Sequence, residues 1–168
     1  MFRQGQTREA IPFFEKAASL MESDFNNPSM LKTCYKAIGD IEGLRRAAKV
    51  ALGRAEAAVS QDPMNGAALS AGATALAALG DAERSKEWID RALLLDPDNL
   101  TMRYNLGCAL SIYLGDGDAA IDILEPFFDH VNSLTHLKHL EADPDWAPVR
   151  DKPRFRAMLD EAKKRLNA

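Results

Sequence analysis

Two histidines come closest to a metal-binding pattern in this sequence. His136 and His139 are three residues apart, which places both on one face if the segment is helical. Histidine is a common zinc ligand, and His130 or Glu141 could assist the pair. No complete ligand set is visible, so we predict that the chain holds no metal.

Aspartates and cysteines offer two further chemistries, calcium binding and thiol reactivity. Asp116, Asp118 and Asp122 surround a Gly-Asp turn, but the stretch lacks the spaced ligands and terminal Glu of an EF-hand loop. A solvated turn that starts a helix fits these residues better. Cys34 and Cys108 are single, far apart and outside any CxxC pair, so they signal neither zinc nor a disulfide. We expect both to be buried as small hydrophobic residues.

Motifs of catalytic and cofactor sites are missing from the sequence. It has no GxGxxG, no GxxxxGK[ST] and no GxSxG, so we predict no enzyme and no cofactor.

The 21 basic and 25 acidic residues give a net charge of −4, which does not favour binding to nucleic acid or to a membrane surface. No apolar run reaches the roughly 18 residues of a membrane span, and no signal peptide is visible. These features predict a cytoplasmic protein.

The stretch between Pro63 and Pro97 shows which elements would position any functional residue. The two prolines are 34 residues apart (97 minus 63), and each follows an aspartate. Between them, an Ala/Leu-rich helical pattern and a second amphipathic one are separated by Leu79-Gly80-Asp81. Helix, tight turn and helix in 34 residues indicate a helical repeat.

The same pattern divides the rest of the chain, which we predict to be one domain over residues 1–168. The predicted parts are a half repeat (1–24), a repeat with a long second helix (28–63), two further repeats (64–97 and 98–132) and a C-terminal cap (133–168). In the cap, we expect Trp146 to be a buried packing residue.

Residues 1–24 match only the second half of a repeat. Gly5 stands where the turn glycine belongs, and an apolar face at helical spacing follows it. That face consists of Ala10, Phe13, Phe14, Ala17, Ala18 and Met21. Because the first helix is missing, we expect that the chain begins inside a repeat of a longer protein and that this face could self-associate.

These units resemble tetratricopeptide repeats over essentially the whole chain. Leu106-Gly107 and Leu110 occupy the Leu-Gly and Tyr positions of that repeat, whereas Arg103 stands where the family has Trp. The resemblance implies an all-α fold, in which antiparallel helix pairs form a solenoid with a right-handed superhelical twist. It also implies that a C-terminal helix caps the solenoid.

Two segments carry a narrower likeness. NNPSMLKTCYKAIGD and DPDWAPVRDKPRF resemble the C-terminal repeat region of bacterial class III adenylate and guanylate cyclases. This implies a non-catalytic interaction or scaffold module that regulates or oligomerises a cyclase in cAMP signalling. Related tails end bacterial kinases and transcription regulators, so an adaptor of another signalling protein, or a stand-alone scaffold, is the alternative. The residues contain no counterpart of the cyclase catalytic domain.

The family resemblance also implies a concave groove, lined by first helices, that binds a protein or an extended peptide. The residues that it places in the groove are Ser29, Thr33, Lys36, Ser70, Thr74, Thr101, Tyr104 and Ser111. Tyr104 is the best single anchor, since tyrosine is enriched in binding hot spots. The lining lacks the Lys and Asn pairs with which chaperone-binding relatives hold a C-terminal carboxylate. The alternative is that these small residues serve only close helix packing.

Overall fold

The computed structural model describes residues 6–167, and this part of the chain is helical without any β-strand. The helices are α1 (Thr7–Leu20), α2 (Asn26–Ala37), α3 (Ile41–Gln61), α4 (Gly66–Leu79), α5 (Ala82–Leu95), α6 (Leu100–Ile112), α7 (Gly117–His130), α8 (Leu134–Ala142) and α9 (Pro153–Asn167). A 3-10 turn at Pro144–Trp146 lies between α8 and α9. The predicted all-α fold class is confirmed, and α3 spans 21 residues against 14 in α5. No helix in this region is both long and apolar enough to cross a membrane.

Two compact units make up the structure. Unit 1 comprises Met1–Asp96 and contains α1 to α5, whereas unit 2 comprises Pro97–Ala168 and contains α6 to α9. In unit 1, α2 packs on α3 and α4 packs on α5; in unit 2, α6 packs on α7 and α7 on α9. The organisation as one domain with a superhelical twist stays a prediction.

Gly-Asp turns join the helix pairs of unit 1. Gly39 and Gly80 adopt φ values of 76° and 89°, a left-handed conformation that favours glycine. The N–H of Asp81 then donates to the carbonyl of Leu76 at 3.0 Å, five residues earlier, which satisfies the end of α4. The Asp81 side chain accepts from the N–H of Arg84 and caps α5. A two-residue Gly-Asp signal thus ends one helix and starts the next.

The turn between α6 and α7 in unit 2 is one residue longer than the Gly-Asp turns of unit 1. Gly115 has a φ of 64°, and Asp116 caps α7 by accepting from the N–H of Ala119. Here the N–H of Asp116 donates to the carbonyl of Leu110, six residues earlier rather than five. The longer loop preserves both the left-handed glycine and the aspartate cap.

Small residues dominate the interior of unit 1. Ala48, Ala51 and Ala75 are fully buried and form a cluster between α3 and α4. Gly72 leaves room for the ring of Trp88, since a Cβ at that position would lie 2.2 Å from the ring atom Cζ3. Trp88 itself is buried. Helices that present Ala and Gly can approach closely enough to exclude water without long side chains.

Aromatic residues dominate the interior of unit 2. Trp146 is fully buried, as predicted, and its ring lies 5.6 Å from that of Tyr104 and 6.1 Å from that of Phe155. Gly107 admits the indole, because a Cβ there would lie 2.5 Å from Cη2. Arg165 near the end of α9 donates to the carbonyl of Phe128, which ties the last helix to α7.

α1 is less buried than the other helices of unit 1. Among its apolar residues only Ala18 is buried, whereas Phe13 is 77% and Leu20 is 73% exposed. Arg54 of α3 secures the end of α1 by donating to the carbonyls of Ala18 and Met21. The predicted turn residue Gly5 lies outside the described residues.

Asp24, one residue before the N-cap Phe25, accepts hydrogen bonds from the first backbone N–H groups of α2, and these bonds depend on pH. Its carboxylate accepts from the N–H of Asn27 at 2.8 Å and of Asn26 at 3.1 Å. Burial raises the pKa of Asp24, but these hydrogen bonds outweigh it, so the pKa lies below its usual value overall. A lowered folded-state pKa gives stabilisation that is present above the unfolded pKa of about 3.9 and is lost as pH falls through the folded pKa.

We therefore expect Asp24→Ala to lower the free energy of unfolding by about 1 kcal/mol at neutral pH, the usual cost of a lost cap. The difference between variant and wild type should shrink only below about pH 4, as the pH falls through the folded-state pKa and the wild type loses its carboxylate. Urea denaturation at a series of pH values measures this. A difference that is constant over that range would show that the charge of Asp24 plays no part.

Candidate functional site

Five of the eight predicted groove residues lie in unit 1, on two helices that the structure places in contact. Ser29, Thr33 and Lys36 are on α2, and Ser70 and Thr74 are on α4. These helices belong to successive helix pairs and pack on each other. The predicted first-helix surface of unit 1 is therefore continuous from α2 to α4, and we call it the α2/α4 face.

A hydrogen bond between two side chains connects α2 and α4 within the α2/α4 face. Lys32 Nζ donates to Thr74 Oγ1 at 2.7 Å, although Lys32 is only 5% exposed. Thr74 Oγ1 donates in turn to the carbonyl of Ala71 in the preceding turn of α4, which orients its acceptor lone pair. Sequence reasoning missed Lys32, because lysine is rarely buried and the residue type alone predicts solvent exposure.

The α2/α4 face combines hydroxyl groups with positive charge. The hydroxyls of Ser29 and Thr33 donate to backbone carbonyls four residues earlier, at 2.9 and 3.3 Å, and so keep acceptor capacity for a ligand. Thr33 is exposed, and Lys36 and Ser70 are half-buried. Neither α2 nor α4 contains an aspartate or glutamate, and the charged side chains that these two helices contribute are those of Lys32 and Lys36. Such a surface suits backbone carbonyls and carboxylates of a bound chain.

The other three predicted residues lie on α6 in unit 2, where the chain itself engages two of them. Tyr104 donates to Asp143 Oδ2 at 2.6 Å, and Ser111 donates to the carbonyl of Asp145 at 2.8 Å. Burial and the bond to Asp143 both raise the pKa of Tyr104. Thr101 is exposed. The hydroxyls of Tyr104 and Ser111 thus hold the segment around the 3-10 turn, and their role in peptide binding stays a prediction.

A comparison with protein families finds a match in the middle of the chain. Residues 73–99 match the tetratricopeptide repeat profile. This supports the tetratricopeptide repeat interpretation. The matched stretch contains the end of α4 and all of α5, joined by the Gly-Asp turn. Such repeats mediate protein–protein interactions and are generally non-catalytic. No curated protein matches the chain.

One group of potential metal ligands occurs within residues 6–167, and it differs from the histidine pair considered above. Ligand atoms of Cys108, Asp143 and Asp145 lie within 4.8 Å of one another. Asp143 uses one oxygen to accept from Tyr104 and the other to accept from the N–H of Asp145 at 2.9 Å. The arrangement therefore serves the loop that packs on α6. His136 and His139 are both exposed on α8 and are not part of this group.

The two cysteines are free and buried, as predicted. Cys34 is fully buried on α2, and burial raises the pKa of its thiol. Because the thiolate is the reactive form, this environment makes Cys34 less nucleophilic than an exposed cysteine. Cys108 is 8% exposed.

Proposed function

We propose that this chain is a non-catalytic interaction module that binds an extended peptide segment of a partner protein on the α2/α4 face. The observation that carries the proposal is the Lys32–Thr74 bond, which holds the two helices side by side. Two adjacent helices offer a surface long enough for several residues of an extended chain. Preorganisation of this kind reduces the entropic cost of binding.

The chemistry of the face defines the bound segment. Hydroxyls of Ser29, Thr33 and Ser70 suit the backbone of an extended peptide, since each can donate or accept. Lys36, half-buried at the end of α2, favours a carboxylate side chain on the ligand. A segment with small residues and at least one acidic residue is the expected ligand.

We further propose that the module belongs to a bacterial class III adenylate cyclase, which it regulates or oligomerises in the cytoplasm. The sequence likeness of NNPSMLKTCYKAIGD and DPDWAPVRDKPRF supports this assignment. The alternative is an adaptor of another bacterial signalling protein or a stand-alone scaffold. A cyclase catalytic domain in the same reading frame would favour the first assignment, and its absence would favour the second.

The binding proposal predicts that peptides selected from a random display library depend on Lys36. We expect Lys36→Glu to weaken their binding about tenfold, because it replaces an attraction for the ligand carboxylate by a repulsion. Isothermal titration calorimetry on the full chain measures the effect. Lys49→Glu, which makes the same change at an exposed position of α3, is the matched control and should leave the affinity unchanged.

Two results would contradict the proposal. Selected peptides could bind Lys36→Glu and Lys49→Glu equally well, which would place the binding surface elsewhere. Alternatively, the library could yield no peptide that binds the folded chain.

Raised ionic strength should also weaken binding to the wild type, since a half-exposed ion pair is screened by salt.

A further inference from the structure

The turn between α3 and α4 contains the one Asn-Gly pair of the sequence, Asn65-Gly66. Asn65 is the N-cap of α4, and its Oδ1 atom accepts from the N–H of Ala68 at 2.9 Å. Both residues of the pair are half-buried. Within residues 6–167, the N–H of Gly66 donates to no acceptor, as is usual for the first residue of a helix. The pair therefore combines a nucleophile, the backbone nitrogen of Gly66, with an electrophile, the side-chain amide of Asn65.

An asparagine that is followed by glycine can undergo deamidation. The nitrogen of Gly66 attacks Cγ of Asn65, the bond between Cγ and Nδ2 breaks, and Nδ2 leaves as ammonia together with the proton of the Gly66 N–H. Water then opens the resulting succinimide ring and leaves aspartate or isoaspartate at position 65. Glycine favours the ring closure, because it places no side chain beside the attacking nitrogen and its backbone rotates freely.

The folded backbone holds the two reacting groups apart. Ring closure requires the nitrogen of Gly66 to lie on the same side of the Cα–C bond of Asn65 as Cβ. Asn65 has a ψ of 86°, and Cβ of an L-residue is rotated from the backbone nitrogen by about 120° around this bond, so the Gly66 nitrogen lies almost opposite Cβ. The attack therefore requires a large rotation about ψ, which separates Oδ1 of Asn65 from the N–H of Ala68.

Further hydrogen bonds keep this turn closed. The N–H of Asn65 donates to the carbonyl of Asp62 at 3.1 Å, and the N–H of Met64 donates to a carboxylate oxygen of Asp62 at 3.0 Å. The carbonyl of Asn65 accepts from the N–H of Leu69 at 3.0 Å. Because opening breaks bonds of this kind, the folded chain spends only a small fraction of its time in a conformation that can react.

We propose that Asn65 is a deamidation site that the folded turn protects, so that its modification records the opening of the turn between α3 and α4. Isoaspartate adds a carbon atom to the backbone and moves the carboxylate away from the N–H of Ala68, which weakens the cap of α4. Aspartate keeps the cap, since its side-chain oxygen accepts the same hydrogen bond. The proposal does not depend on peptide binding by the α2/α4 face.

Peptide mapping by mass spectrometry tests the proposal on the full chain, incubated at mildly alkaline pH with and without urea. We expect Asn65 to deamidate about tenfold faster or more in urea that unfolds the chain than in the native chain. Asp62→Ala, which removes the side-chain bond to the N–H of Met64, should raise the native rate and leave the rate in urea unchanged.

Asn99 and Gly66→Ala are the matched controls. Asn99 caps α6 with nearly the same geometry, a ψ of 90° and a bond from the N–H of Met102 at 2.9 Å, but Leu100 follows it. Asn99 should remain unmodified in urea during the time in which Asn65 reacts. Gly66→Ala should fold normally, because a Cβ at this position meets only Cβ of Leu95 at 3.8 Å, and it should suppress the reaction of Asn65 in urea.

Three results would overturn the proposal. Equal rates for Asn65 in the native and the unfolded chain would show that the turn gives no protection. An unmodified Asn65 in urea would show that this residue is not a deamidation site. An unchanged native rate in Asp62→Ala would show that opening of this turn does not control the reaction.

Discussion

Replacing Trp146 with alanine is expected to lower the free energy of unfolding of unit 2 by about 3–5 kcal/mol, the usual cost of removing a large buried aromatic side chain. Trp146 is fully buried and contacts the rings of Tyr104 and Phe155. Its ring also fills the space beside Gly107, so its loss leaves a cavity between α6 and the C-terminal residues.

Urea denaturation followed by far-ultraviolet circular dichroism measures this effect. Trp88, in unit 1, remains in the variant and reports by fluorescence whether unit 1 keeps its wild-type stability. Leu94→Ala, at an 82% exposed position, serves as the control and should stay within about 0.5 kcal/mol of the wild type. A loss below about 1 kcal/mol for Trp146→Ala would contradict the view that this residue anchors unit 2.

The second large effect concerns two glycines that differ in their surroundings. We expect Gly72→Ala on α4 to destabilise the protein by about 1–2 kcal/mol, because the new methyl group would lie 2.2 Å from Cζ3 of Trp88. This overpacking outweighs the gain in helix propensity. On α3, nothing lies within 4 Å of a Cβ placed at Gly53, so Gly53→Ala should stabilise by up to about 1 kcal/mol.

Thermal and urea unfolding of both variants show directly whether each substitution raises or lowers the free energy of unfolding. A double-mutant cycle assigns the cause: Gly72→Ala should cost much less in a Trp88→Leu background, because the smaller side chain vacates the space. If Gly72→Ala stabilised the protein as much as Gly53→Ala, this result would contradict the close contact between Gly72 of α4 and Trp88 of α5.

Local sequence signals were enough to predict most of the helices. The Gly-Asp turns at Gly39 and Gly80 combine a left-handed glycine with an aspartate cap, and both requirements are visible in the sequence. The spacing from turn glycine to closing proline predicted the long α3, since Gly39 and Pro63 are 24 residues apart, whereas Gly80 and Pro97 are 17 apart. Helical periodicity identified the apolar face of α1, but periodicity does not show whether another helix covers that face.

Contacts between distant residues could not be predicted in the same way. Tyr104 and Asp143 are 39 residues apart, and Ser111 and Asp145 are 34 apart. A repeat pattern placed Tyr104 and Ser111 on a first-helix surface, but it gave no indication that the C-terminal segment would accept their hydrogen bonds. The burial of Lys32, unusual for a lysine, likewise depends on a distant partner, since Thr74 lies on another helix.

Amide hydrogen exchange with a library-selected peptide tests the central claim, that the α2/α4 face is the binding surface, most directly. We predict slower exchange in Asn26–Ala37 and Gly66–Leu79 when the peptide is bound, with no change in α6 and α7. Slower exchange confined to α1 or to unit 2, with α2 and α4 unaffected, would contradict the assignment of the α2/α4 face.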